Sequence, residues 1–131
     1  MNGETNLNVL INSMKPYLNA GQYVFCTLKT IEIDVNNCLF FFKENEGTTV
    51  VCLKEYADNQ HYTYQSTFSW ITLSVHSALE VVGLTAAFSD ALAQHNISCN
   101  VVAGFYHDHI FVPKNQGAKA VEVLENLAKR T

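Results

Sequence analysis

The sequence predicts an α+β fold, and three observations carry that expectation. Residues 68–128 read in the order β-α-β-β-α, with strand patterns of period two and helix patterns of period near 3.6. Residues 22–53 hold further runs rich in β-branched and aromatic side chains, separated by turn signals. Over 131 residues, 48% hydrophobic and 15% charged side chains supply enough apolar material for one ordinary domain or two half-size ones sharing a core.

Leu7, Leu10, Ile11 and Met14 recur at three- and four-residue spacing behind polar Thr5 and Asn6, which predicts a short amphipathic helix interrupted at Pro16. A turn signal, Asn19-Ala20-Gly21, leads to a strand over 22–28. After a turn at 34–37 come a strand at 39–42, a polar connection at 44–47 and a strand at 48–53. Residues 54–61 are polar and read as an irregular connection with room for one helical turn. They mark the boundary between an amino-terminal half, 1–65, and a carboxy-terminal half, 66–131.

In the second half, 68–75 alternates apolar Phe68, Trp70, Leu73 and Val75 with Ser and Thr, as a strand with one face on the core would. A loop over 77–83 leads to a helix whose Leu84, Phe88, Ala91, Leu92 and His95 share one face, closed by Asn96 in the left-handed conformation. The segment 97–105 predicts a strand with a bulge or close approach at Gly104. Residues 106–109 turn into a strand at 110–112, which Pro113 stops. Ala120, Val121, Leu124, Leu127 and Ala128 form the stripe of a last helix, with Lys129 and Arg130 at the end that suits the helix dipole. Such an order is a split β-α-β unit short of its final strand, which the amino-terminal half is expected to supply.

Composition excludes several classes. A net charge of -4, from 8 basic and 12 acidic side chains, gives nucleic-acid phosphates no basic run to bind. No apolar stretch reaches the roughly 20 residues of a membrane helix, and Met1-Asn2-Gly3-Glu4 does not open a secretory signal, so a cytoplasmic protein is expected. Cys26, Cys38, Cys52 and Cys99 stand apart without a CxxC pair and read as reduced, buried thiols.

The run 70–75, the loop Ala78-Leu79-Glu80-Val81-Val82-Gly83-Leu84-Thr85 and the strand Ile97-Ser98-Cys99-Asn100-Val101-Val102 resemble an ACT domain of the aspartate-kinase type. His107-Asp108-His109-Ile110-Phe111-Val112 resembles the polar turn and returning strand of that family. The whole chain, including residues 23–28, is similar to small bacterial proteins with paired ACT-like halves. The resemblance implies a ferredoxin-like (βαββαβ) fold in two ACT-like halves, with an antiparallel sheet and helices on one face. It also implies a homodimer or higher homo-oligomer, and a regulatory protein binding a small molecule, an amino acid above all.

The family's ligand position falls on Glu80, Val81, Val82, Gly83, Leu84 and Thr85. Gly83 lets backbone approach a ligand, and the amides at the helix start suit a carboxylate. Glu80 would meet an ammonium, and Asn100 would donate and accept. Against this stands the plainer reading that Gly83 only turns the chain. His107 and His109, at i and i+2 on a strand, point to one face and raise the question of a metal, but two ligands do not make a site, so no metal or cofactor is expected. His76 with Ser77 and Cys99 with His107 are the nucleophile-base pairs on offer, without a G-x-S-x-G elbow, a P-loop or a Rossmann glycine set. The chain is therefore read as no enzyme. The alternatives are a structural or protein-interaction module without ligand and, behind it, a metal-dependent enzyme at His107 and His109.

Overall fold

The computed structural model describes residues 6–30, 32–75 and 82–131. Residues up to Asn19 join Ser69–Thr131 in one compact unit, and Ala20–Phe68 form the other. Both units combine strands and helices in the α+β manner expected.

In the first unit, Asn6 caps α1 (Leu7–Ser13) by accepting the Val9 amide at 3.2 Å. Pro16 does not merely end that helix: it opens a three-residue strand, β1 (Pro16–Leu18), where an edge position spares its missing N–H. β1 pairs antiparallel with β5 (Thr67–Leu73), Pro16 opposite Leu73 and Leu18 opposite Ile71. It is thus the strand that the β-α-β-β-α order lacked. α3 (Leu84–Gln94), β6 (Asn100–Ala103), β7 (Asp108–Pro113) and α4 (Gly117–Lys129) complete the unit, with strand order β1-β5-β7-β6.

Alternation assigns the two faces of this sheet. Ile71 and Leu73 of β5 and Ile110 and Val112 of β7 join Leu10, Phe88, Leu92, Ala120 and Leu124 of the helices in one buried core. Trp70, Thr72, His109 and Phe111 therefore project to the other face. α3 ends as expected, with Asn96 left-handed at φ 59°. His95, expected on the apolar face, is exposed.

The expected strand over 97–105 is shorter than its apolar content suggests. The Ile97 amide donates to Leu92 O and so finishes the helix, while the Gly104 amide donates to His107 O and closes the turn into β7. Only Asn100 to Ala103 remain for the ladder, Asn100 opposite Phe111 and Ala103 opposite Asp108. A Cβ on Gly104 would stand 2.8 Å from His107 O, the close approach that a glycine permits.

The second unit runs β2 (Tyr23–Leu28), a 3₁₀ turn (Val35–Asn37), β3 (Phe40–Lys43), β4 (Thr48–Leu53) and α2 (Lys54–Asn59), and it ends on Thr67 and Phe68 of β5. Its strand order is β3-β4-β2-β5, all antiparallel where the registers are defined. Val24, Cys26, Val50 and Cys52 bury one face against Ala57 of α2. On the opposite face Phe25 meets Phe68 and Phe40 edge-on, at 5.2 and 6.2 Å between ring centroids. Residues 54–59, read as an irregular connection with room for one helical turn, form a short helix because Lys54 and Asp58 pair at i,i+4 and Ala57 packs inward.

Candidate functional site

Gly83 is the N-cap residue of α3, with φ +96°, a conformation that glycine adopts without strain. Gly83 has no side chain with which to cap the helix start, and among the described residues no side-chain cap is made there. Val82 is 88% exposed and Thr85 is exposed, whereas Leu84 is buried in the core. Leu7 of α1 lies beside Gly83, its Cδ2 3.1 Å from where a Cβ would be. Glu80, Val81, His76 and Ser77 lie outside the described residues.

Asn100 is exposed at the start of β6, six residues past Gln94, the last residue of α3. Gly83 stands at the other end of that 11-residue helix, which is about 16 Å long. Of the residues expected at the ligand position, Val82 to Thr85 are contiguous at this junction, and Asn100 is not part of that run.

His107 lies in the turn before β7 and His109 within the strand, so the i, i+2 strand pair expected of them is not formed, and their ring nitrogens have different tasks. His109 Nδ1 accepts the indole N–H of Trp70 at 3.0 Å, and Thr72 Oγ1 lies 3.3 Å from the same nitrogen. His107 Nδ1 is buried without a hydrogen-bond partner among the described residues. Among the described residues no cluster of three or more His, Cys, Asp or Glu is placed to hold a metal ion. The Cys99 thiol lies 4.0 Å from Ser89 Oγ, and burial pushes its pKa up. It is therefore poorly prepared to act as a nucleophile.

The sequence did not point to a cleft of about 500 Å³ in the second unit, lined by Gly21, Gln22, Leu53, Lys54, Glu55 and Asp58 among others. Lys54 Nζ and Asp58 Oδ2 are 2.8 Å apart, and the Tyr64 hydroxyl donates to Asp58 Oδ1 at 2.6 Å. These hydrogen bonds, Lys54 first, hold the Asp58 carboxyl below its ordinary range. The one signal available in the sequence was the Lys54–Asp58 spacing together with the Gly21 turn. Their meeting depends on the pairing of Tyr23 with Leu53, which spacing alone does not reveal.

Comparison with known proteins agrees with this architecture. ACT domain families match residues 2–69 and residues 65–126, and the chain belongs to the ACT domain family. A protein of unknown function from Vibrio cholerae is similar at 47% identity, over 93% of this chain and 95% of its own, with a TM-score of 0.85. The regulatory subunit of aspartate kinase from Thermus thermophilus shares the fold at 6% identity and a TM-score of 0.63, over 86% of this chain and 95% of its own. Clostridium acetobutylicum aspartate kinase does so at 13% identity and a TM-score of 0.64; the match covers 95% of this chain and 36% of that one. No curated protein matches the chain. No helix among the described residues is long and apolar enough to cross a membrane.

Proposed function

We propose that this chain is a non-catalytic regulatory protein of the cytoplasm that binds a small ligand, an amino acid, at the junction entering α3. The seat is Glu80, Val81, Val82, Gly83, Leu84 and Thr85; Asn100, which follows the far end of α3, is left out of it. The observation that carries the reading is a start to α3 with no side-chain cap among the described residues, reached through a left-handed glycine, in a chain of two ACT domains. A ligand carboxylate there would satisfy first-turn amides and meet the positive end of the helix dipole. Domains of this family typically serve regulation by amino-acid binding. A homodimer or higher homo-oligomer is part of the proposal, supported by the edge strand β3 with its exposed Phe41 and Phe42.

Calorimetric titration with the common amino acids at millimolar concentration tests the ligand. Heat from one or a few of them is expected, and Thr85→Pro, which deletes one first-turn amide, should weaken that ligand. Silence across the panel would sink the sensor reading. The same exposed β3 edge favours a second reading, an interaction module without ligand. Its signature is an oligomer whose melting temperature no amino acid moves.

A further inference from the structure

We propose that His109 is a proton-operated latch on the sheet face away from the helices: neutral, it holds the indole of Trp70, and protonated, it lets that indole go. The indole nitrogen of Trp70 can only donate, and it stands 3.0 Å from His109 Nδ1. Nδ1 must therefore offer its lone pair, which places the proton of the neutral ring on Nε2. A second proton, on Nδ1, would set two N–H groups against each other and cost that hydrogen bond. Thr72 Oγ1, 3.3 Å from the same nitrogen, supplies no acceptor without rotating its own hydrogen away.

The network extends to the residue where the chain leaves this unit. Asn19 Nδ2 donates to Thr72 Oγ1 at 3.0 Å and to Trp70 O at 3.2 Å, and its amide donates to Trp70 O at 2.9 Å. Asn19 precedes Ala20, the first residue of the other unit. Protonation at His109 thus disturbs the partners of the segment that fastens β1 to β5.

The groups around the ring are few. His107 stands in the turn just before β7, where its charge bears on His109, and Asp108 lies between the two in the chain. β5 contributes Trp70 and Thr72, β6 pairs apolar Val102 with His109, and β1 pairs the phenol of Tyr17 with Thr72. Among the described residues no carboxylate forms an ion pair with either imidazole. Burial, and then the charge of His107, holds His109 below the ordinary 6.5, with Asp108 pulling the other way. A histidine depressed by folding stabilises the fold above its unfolded value, and that contribution is lost as pH falls through the folded one.

Trp70 is the single tryptophan, so its emission reads the latch directly. In the full-length protein, titration from pH 8 to 5 should change Trp70 emission along a one-proton curve with its midpoint below 6.5. His109→Gln should flatten the curve. His107→Gln should keep it and move its midpoint upward, because one positive neighbour is gone. Long-range proton–nitrogen NMR of the unsubstituted protein at pH 8 should show His109 protonated at Nε2, a reading that needs no variant to fold. An emission curve unchanged in His109→Gln, or a proton found on Nδ1 at pH 8, overturns the proposal.

Discussion

Leu7 of α1 lies against Gly83 at the start of α3, its Cδ2 3.1 Å from the position that a Cβ on Gly83 would take. Two penalties on any substitution at Gly83 can therefore be separated. Holding an L-residue at φ +96° costs about 1–2 kcal/mol through backbone strain. Contact with the tip of a leucine is cheap, because that tip can turn away. Gly83→Ala is expected to lower unfolding free energy by roughly that backbone amount, measured by urea denaturation. Leu7→Ala in the same chain should not restore it. Recovery in the double variant would place the cost in the contact instead.

Gly117 opens α4 with equally little room. A Cβ there would stand 2.9 Å from Ser69 Oγ, 3.0 Å from Ser69 Cβ and 3.1 Å from Leu18 Cδ1. Alanine is the better helix former by about 1 kcal/mol in a helix interior and by less at a first residue. Overpacking costs about 1–3 kcal/mol, so the steric term wins and Gly117→Ala should destabilise. Adding Ser69→Ala should give little relief, since the Ser69 Cβ remains in place. A Gly117→Ala protein as stable as the parent would mean that β5 and β1 yield to the methyl group.

How much of this was legible in the sequence differs from element to element. The helices α1, α3 and α4 and the strand β5 follow from periodicity, because each buries one face of its own residues, whereas β2 and β4 follow from their β-branched and aromatic content. β1 escapes such a reading because three residues, Pro16-Tyr17-Leu18, carry no period; only the bare edge of β5 asks for them. Strand β6 reads too long because Ile97 is buried as a strand residue would be while its amide serves α3. At the candidate site, the left-handed turn of Gly83 could be read from a glycine before an apolar helix. Leu7, 76 positions earlier in the chain, could not, and neither could the indole that fixes the His109 tautomer.

The thiols of the second unit should be slow to react. Burial pushes Cys26 up and, with Cys26 close by, pushes Cys52 up to about 12, so both are thiols rather than thiolates at pH 8. Both side chains are also almost fully enclosed. Ellman's reagent at pH 8 is expected to leave Cys26 and Cys52 unmodified in the native protein and to reach all four cysteines in denaturant. Rapid modification of Cys52 without denaturant would show that this core opens on the time scale of the reaction.

Asp108 gives a prediction of opposite sign to an ordinary surface carboxylate. Half-buried in β7, its carboxyl is pushed above 3.8 by burial, and His109 offsets this only in part. A carboxyl raised by folding favours the protonated native state, so its stabilising contribution is complete below 3.8 and is lost as pH rises through the folded value. At pH 7 the charge is a net cost, and Asp108→Asn should raise the melting temperature there. The gain should vanish at pH 3, where Asp108 is already neutral. The same substitution removes the nearest negative charge from His109 and should shift the Trp70 emission midpoint to lower pH. An Asp108→Asn protein that melts lower than the parent at pH 7 would mean that the carboxylate has a partner on which the fold relies.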